Sequence, residues 1–215
     1  MTKQMYLYVF DSVSDWEYGY VMAELKSGRY FKRGEKPLHV ITVGVSRDTI
    51  TTMGGLRVKP DITVQEMNVS EQDLIVLPGG ESWGHPIHDL MLKQVDNAFN
   101  QRAFIAAICG AVHGLAKAGY LEHFHHTSND QSYLEMIYPA YRGNTLHQNG
   151  SVVRDGQLIT ASGVAPLEFA RETIGAMDVF QPNTLEAWYQ LNKTNDATYF
   201  YQLMSSLQTK EGSTI

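Results

Sequence analysis

Only one cysteine, Cys109, occurs in the 215 residues, so an internal disulfide is excluded and no thiolate cluster exists to hold structural zinc. Long apolar runs are missing too. None approaches the roughly 18 residues that suggest a membrane span, and Met1-Thr2-Lys3-Gln4 leads straight into a strand-like segment without a secretory cleavage pattern. Cytoplasmic residence, with no membrane partner, is the expectation. Positive charge is sparse, 17 Lys and Arg against 23 Asp and Glu for a formal net charge of −6. No basic stripe is dense enough to follow phosphates, which argues against nucleic acid as a partner. Neither a His-Glu-x-x-His pair nor a phosphate loop ending in Gly-Lys-Ser/Thr is present, and His125-His126 lacks the i, i+4 spacing of a helical zinc pair. No metal and no cofactor are expected.

Apolar material, by contrast, is ample. Hydrophobic residues make up 43% and charged residues 19%, enough for a sizeable core and too little charge for disorder. One domain over residues 1–209 is expected, closing with a C-terminal helical extension from Asn183, and 210–215 reads as a frayed tail. Short continuous apolar runs predict buried strands over 5–10, 38–43, 73–77 and 104–108, and two further strands over 151–153 and 157–160 flank the turn Asp155-Gly156. Helical spacing predicts helices over 16–26, 88–99, 111–118 and 166–177, with Trp16, Tyr20, Ala23 and Leu25 as the packing positions of the first. Residues 49–61 read as a small hairpin excursion around Gly54-Gly55. This alternation predicts an α/β fold: a flavodoxin-like or Rossmann-like three-layer sandwich on a mostly parallel central sheet.

In open sheets of that kind, ligands collect at the carboxyl ends of the strands. Three segments converge there: Asp15-Trp16-Glu17, Leu77-Pro78-Gly79-Gly80-Glu81 and Ala107-Ile108-Cys109-Gly110-Ala111. Cys109 falls between a strand and a helix, a nucleophile elbow that projects its side chain into the crevice while small neighbours leave room. The helix dipole and its free N–H groups predict a thiol more acidic than the ordinary value of about 8.5. A lone cysteine packed as a small hydrophobe is the bland alternative; the elbow position favours reactivity.

Leu77-Pro78-Gly79-Gly80, Ala106-Ala107-Ile108-Cys109-Gly110 and Asp155-Gly156-Gln157-Leu158-Ile159-Thr160 follow one another in an order and at spacings similar to those of the ThiJ/PfpI family, within the class I glutamine amidotransferase-like superfamily. The resemblance runs from Met5 to Met177 and takes in Gly54-Gly55 and Leu167-Glu168-Phe169-Ala170. It implies that Cys109 is the nucleophile, that backbone N–H groups near Gly80 and Gly110 form an oxyanion hole, and that Glu17 is a carboxylic acid beside the sulfur whose pKa burial would raise. Glu17 has a plainer reading as a solvated first-turn residue, and Gly79-Gly80 as ordinary turn glycines. Homodimerisation is a further implication, since family members commonly assemble.

The pattern departs from the family at two places. Protease-like members carry His directly after the cysteine, where Gly110 stands here. Others carry His further along, at the position matched by Asn129, which cannot accept a proton. His113, four residues beyond Cys109 on one helix face, is the remaining catalytic candidate, with packing as its alternative; His85 and His126 lie in loops. The leading reading is a cysteine-dependent hydrolase, amidase- or protease-like or glyoxalase-like in processing aldehydes, acting on small-molecule substrates. Its rival is an oxidative-stress sensor or chaperone-like protein whose partner is an oxidant and whose Cys109 is oxidised without turnover. A third reading is a binding module with an unreactive Cys109.

Overall fold

Runs such as Leu74-Ile75-Val76-Leu77, apolar at every position and bounded by Asp73 and Pro78-Gly79, suit strands covered on both faces. The computed structural model describes residues 3–208; the tail expected over 210–215 lies outside the described residues. The elements in chain order are β1 (Gln4–Tyr8), α1 (Asp15–Ser27), β2 (His39–Gly44), β3 (Ile50–Thr51), β4 (Arg57–Val58), β5 (Ile62–Thr63), β6 (Leu74–Leu77), α2 (Asp89–Asn100), β7 (Phe104–Ile108), α3 (Gly110–Lys117), α4 (Gln131–Ile137), β8 (Val152–Asp155), β9 (Leu158–Ala161), α5 (Pro166–Ala176), α6 (Pro182–Thr194) and α7 (Ala197–Gln208).

Seven strands form one sheet in the order β5-β2-β1-β6-β7-β9-β8. All neighbours are parallel except β8 and β9, an antiparallel pair joined through Asp155-Gly156, where Gly156 takes φ 58°. Parallel neighbours need crossovers, and helices supply them. The excursion over 49–61 is a separate two-stranded hairpin, Ile50 opposite Val58 and Thr51 opposite Arg57. Its turn uses Gly55 at φ 86°, a conformation that favours glycine. The core runs through β1, β6 and β7, where Leu74–Leu77 and Ile105–Ile108 are wholly buried. Among the described residues no helix is long and apolar enough to cross a membrane.

Helix α1 corrects one expectation. Trp16, Tyr20 and Ala23 face outward, Trp16 at 51% exposure, and of the predicted packing positions only Leu25 is buried. The inward face is Glu17, Tyr18, Val21, Glu24 and Leu25. Two carboxylates on the buried side rotate the apparent apolar stripe, and each carries partners: Glu24 pairs with Arg29 and accepts from Trp188 Nε1 at 3.0 Å. Trp188 belongs to α6, so this contact seats the C-terminal helices on α1 and α5. Helix α4 and strand β5 were not expected from the sequence; both are short and carry weak periodicity.

Candidate active site

Strand β7 ends at Ile108 and α3 begins at Gly110, leaving Cys109 as a one-residue hinge with φ 60° and ψ −122°. A non-glycine residue held in such a region costs about 1–3 kcal/mol and persists only where neighbours fix it. They do: the Cys109 N–H donates to Ala161 O at 3.0 Å, and its carbonyl accepts from Val112 N at 3.1 Å. The thiol is thereby turned out of the helix toward the carboxyl ends of the strands, half-buried.

Glu17 arrives from the first turn of α1 and is 1% exposed. Gly79 N–H donates to its Oε2. Its Oε1 is buried without a hydrogen-bond partner among the described residues, and the Cys109 thiol acts on the carboxyl from alongside. Burial pushes the Glu17 carboxyl up to about 7, against the opposing pull of Gly79 N–H, the thiol and Ser14. Its proton is therefore exchangeable near neutral pH, which the solvated reading of Glu17 does not allow.

The thiol departs from expectation. Burial pushes it above its ordinary value; the Asn129 amide pulls it down, the Glu17 charge pushes it up, and Gly110 N–H pulls it down again. Desolvation outweighs the helix N-terminus, because α3 is only eight residues long and the carboxylate beside the sulfur repels a second negative charge. The pair shares a proton more readily than it sheds one, so its titration belongs to both groups together.

Asn129 was expected only as a place where His is missing. Its Nδ2 donates to Cys109 Sγ at 3.3 Å, while its Oδ1 accepts from Gly163 N at 2.8 Å and from Ser162 Oγ at 3.4 Å. Gly163, just past β9, also escaped sequence reasoning. A Cβ there would stand 2.6 Å from Cys109 Sγ, and one at Gly79 would stand 2.7 Å from Cys109 Cβ and 2.8 Å from Glu17 Oε2. Two glycines thus make room for the Cys–Glu pair. The strand-end rule that drew attention to Gly79 applies equally to Gly163, and was the signal available.

Gly80 and Gly110 lie together: a Cβ at Gly110 would meet Gly80 O at 2.8 Å and Trp83 Cδ1 at 2.9 Å. Buried Trp83, its indole N–H donated to Pro78 O at 2.9 Å, fills the space a residue-110 side chain would need. The Gly110 N–H is directed at the sulfur, and Gly80 N has no acceptor among the described residues.

None of the candidate histidines hydrogen-bonds Cys109 or Glu17 among the described residues. His113 packs on Tyr133 at 5.4 Å between ring centroids, and its Nε2 is buried without a hydrogen-bond partner. His85 is exposed and accepts from Ile87 N at 3.2 Å. His126 is fully buried against the Phe124 carbonyl and Tyr141 hydroxyl. Among the described residues no group of three or more His, Cys, Asp or Glu side chains could hold a metal ion. Beyond Asn129 opens a polar cleft of about 640 Å³, walled by Ser128, His147, Asn149, Ser162 and the Glu168–Lys193 ion pair that joins α5 to α6.

The fold that carries this site is matched by known proteins. The DJ-1/PfpI family model covers residues 3–176. The chain belongs to the DJ-1/PfpI family. A Bacillus subtilis relative named "Uncharacterized protease YoaZ" is 53% identical over 206 residues, 96% of this chain and 98% of that protein. A second B. subtilis relative, "Uncharacterized protease YdeA", is 31% identical over 90% of this chain and 92% of its own length. The crystal structure of a thiJ/pfpI family protein from Bacillus anthracis superposes with a TM-score of 0.94 at 50% identity, covering 96% of this chain and 98% of that one. The resemblance drawn from the motifs therefore holds, and so does the α/β sandwich read from the alternation of strands and helices. Gly110 and Asn129, where the motif resemblance implied a histidine in other members, both lie against Cys109.

Proposed function

We propose that this DJ-1/PfpI protein is a cysteine-dependent hydrolase of small acyl-type substrates, in which Glu17 does the proton transfer that histidine does elsewhere. The observation that carries the reading is the buried Glu17 carboxyl, titrating at about 7 beside the Cys109 thiol. A group with that pKa takes and returns protons near neutrality. Ionised Glu17 accepts the thiol proton as sulfur bonds to the substrate carbonyl carbon, and the carbonyl electron pair moves to oxygen. Backbone N–H groups of Gly80 and Gly110 meet that oxygen. On collapse the leaving amine or alkoxide takes the proton from Glu17, leaving a thioester. Water, losing its proton to the carboxylate, then cleaves the thioester and restores the thiol. Relatives named as proteases are consistent with this chemistry.

A panel of 4-nitrophenyl esters, anilides and simple aldehydes tests the reading. Cysteine-dependent turnover, reduced at least 1,000-fold in Cys109→Ser, is the expected outcome; equal rates in the two proteins reject it. A second reading is favoured by the donors around the sulfur: Asn129 Nδ2, Gly110 N–H and, below pH 7, protonated Glu17. They suit the oxygens of an oxidised cysteine, as a stress sensor would need. Intact mass after dilute peroxide separates the two, since selective oxygen addition at Cys109 without substrate turnover supports the sensor.

A homodimer also fits. Exposed Trp16, Tyr20, Met53 and Leu56 sit on α1 and the hairpin, which Gly54 N–H joins to Asp15 Oδ2 at 2.6 Å. Sedimentation equilibrium is expected to return twice the 24.2 kDa chain mass; a monomer at micromolar concentration rejects this part.

A further inference from the structure

An amide cannot accept a proton, but it donates a hydrogen bond well, and the orientation of this one is settled by its neighbours. Gly163 N–H holds Asn129 Oδ1 at 2.8 Å, Ser162 Oγ adds a second contact at 3.4 Å, and the amide plane then has one direction left for Nδ2, toward Cys109 Sγ at 3.3 Å. A flipped amide would set Nδ2 against the Gly163 N–H, donor against donor. Asn129 also forms part of the wall of the 640 Å³ cleft, so a ligand held there lies beside the residue that meets the sulfur.

We propose that Asn129 is a catalytic residue: its Nδ2 is a side-chain donor to the oxyanion that forms when the Cys109 thiolate adds to a substrate carbonyl. This rests on the hydrolase reading above. In the addition step sulfur donates an electron pair to the carbonyl carbon and the π pair moves onto oxygen, which then stands two bonds from the sulfur. A donor already within hydrogen-bonding distance of the sulfur reaches that oxygen with a small shift, and it is fixed in advance of the reaction. Asn129 faces the sulfur from the cleft, whereas Gly80 and Gly110 face it from the elbow, so the oxygen is held from both sides. The same donor favours thiolate in the resting site, opposing burial.

Asn129→Asp is the sharpest variant, because it is isosteric, keeps an oxygen for Gly163 N–H and Ser162 Oγ, and replaces the donor with a charged oxygen. Asn129→Ala removes both and guards against an effect of the added charge. Two reactions of Cys109 are compared across pH: alkylation by chloroacetamide, which builds no oxyanion, and acylation by 4-nitrophenyl acetate, which does. The limiting high-pH acylation rate is expected to fall at least tenfold further than the limiting alkylation rate in both variants, with circular dichroism confirming that they fold. Parallel losses in the two reactions, or no selective loss, overturn the role of Asn129 alone. A wild-type protein that the ester acylates no faster than Cys109→Ser instead sinks the hydrolase reading and this role with it.

Discussion

Cys109 has two unlike flanks. On the elbow side the wall is closed: Glu17 is buried, Gly79 binds its carboxylate, and Trp83 presses against Gly110 until no side chain fits. On the cleft side the wall is open and polar, and the group that meets the sulfur is an amide that does not titrate. In the proposed mechanism proton transfer is therefore confined to the buried flank, while the open flank offers hydrogen bonds. A histidine at position 110 or 129 would blur this division; here both are occupied by residues without a proton to exchange.

The strongest way to break the comparison is to disarm the buried flank. Glu17→Gln preserves shape and an acceptor for Gly79 N–H but removes the proton acceptor, and turnover is expected to fall about 100-fold or more. Wild-type rate should rise with pH through about 7 as Glu17 ionises; in the variant that rise disappears. The alkylation rate should move the other way, because removing the Glu17 charge removes a cause that pushes the thiol up. A variant in which turnover and alkylation fall together would show that Glu17 only supports the fold.

Next in size is the attempt to restore the missing base. Gly110→His places a side chain where a Cβ alone would lie 2.8 Å from Gly80 O and 2.9 Å from Trp83. Overpacking against backbone costs typically 1–3 kcal/mol, so the variant should melt lower by about 2–12 °C at this chain length and gain no activity. Increased hydrolysis without loss of stability would mean that the elbow flank has room the structure does not show.

Smaller again is the stability cost of the buried acid. Glu17 titrates at about 7 in the folded protein against an ordinary 4.5. The folded state therefore holds this proton more tightly, and the stabilisation is fully present below pH 4.5 and lost as pH rises through 7. Glu17→Gln never charges, so denaturant unfolding should find it more stable than wild type at pH 8 by about 3 kcal/mol, with the gain shrinking toward pH 5. A gain independent of pH would trace to packing instead of ionisation.

The two flanks were unequally legible in the sequence. β1, β6 and β7 announce themselves as short apolar runs ending in turn residues, and strand-end logic places Glu17, Gly79 and Cys109 together. The outward face of α1 was misread because Glu17 and Glu24, both buried, count as polar in any periodicity. Trp83 dictating Gly110 is invisible locally, since the contact is between the loop after β6 and helix α3, with α2 and β7 between them in sequence. Asn129 could be seen only as an absence; its aim at the sulfur depends on Gly163, 34 residues away across β9.

His113 gives the finest test. Its spacing from Cys109 suggested a base, but its ring packs on Tyr133, burial pushes its pKa down, and its Nε2 is buried without a hydrogen-bond partner. An unpaired buried nitrogen costs about 1–3 kcal/mol in desolvation, part of which an apolar replacement recovers. His113→Leu is therefore expected to change turnover less than threefold and to leave stability equal or higher by up to about 1 kcal/mol. A loss of turnover beyond tenfold with an intact melting temperature would return His113 to the site and move proton transfer away from the buried flank, where the proposed mechanism assigns it to Glu17 alone.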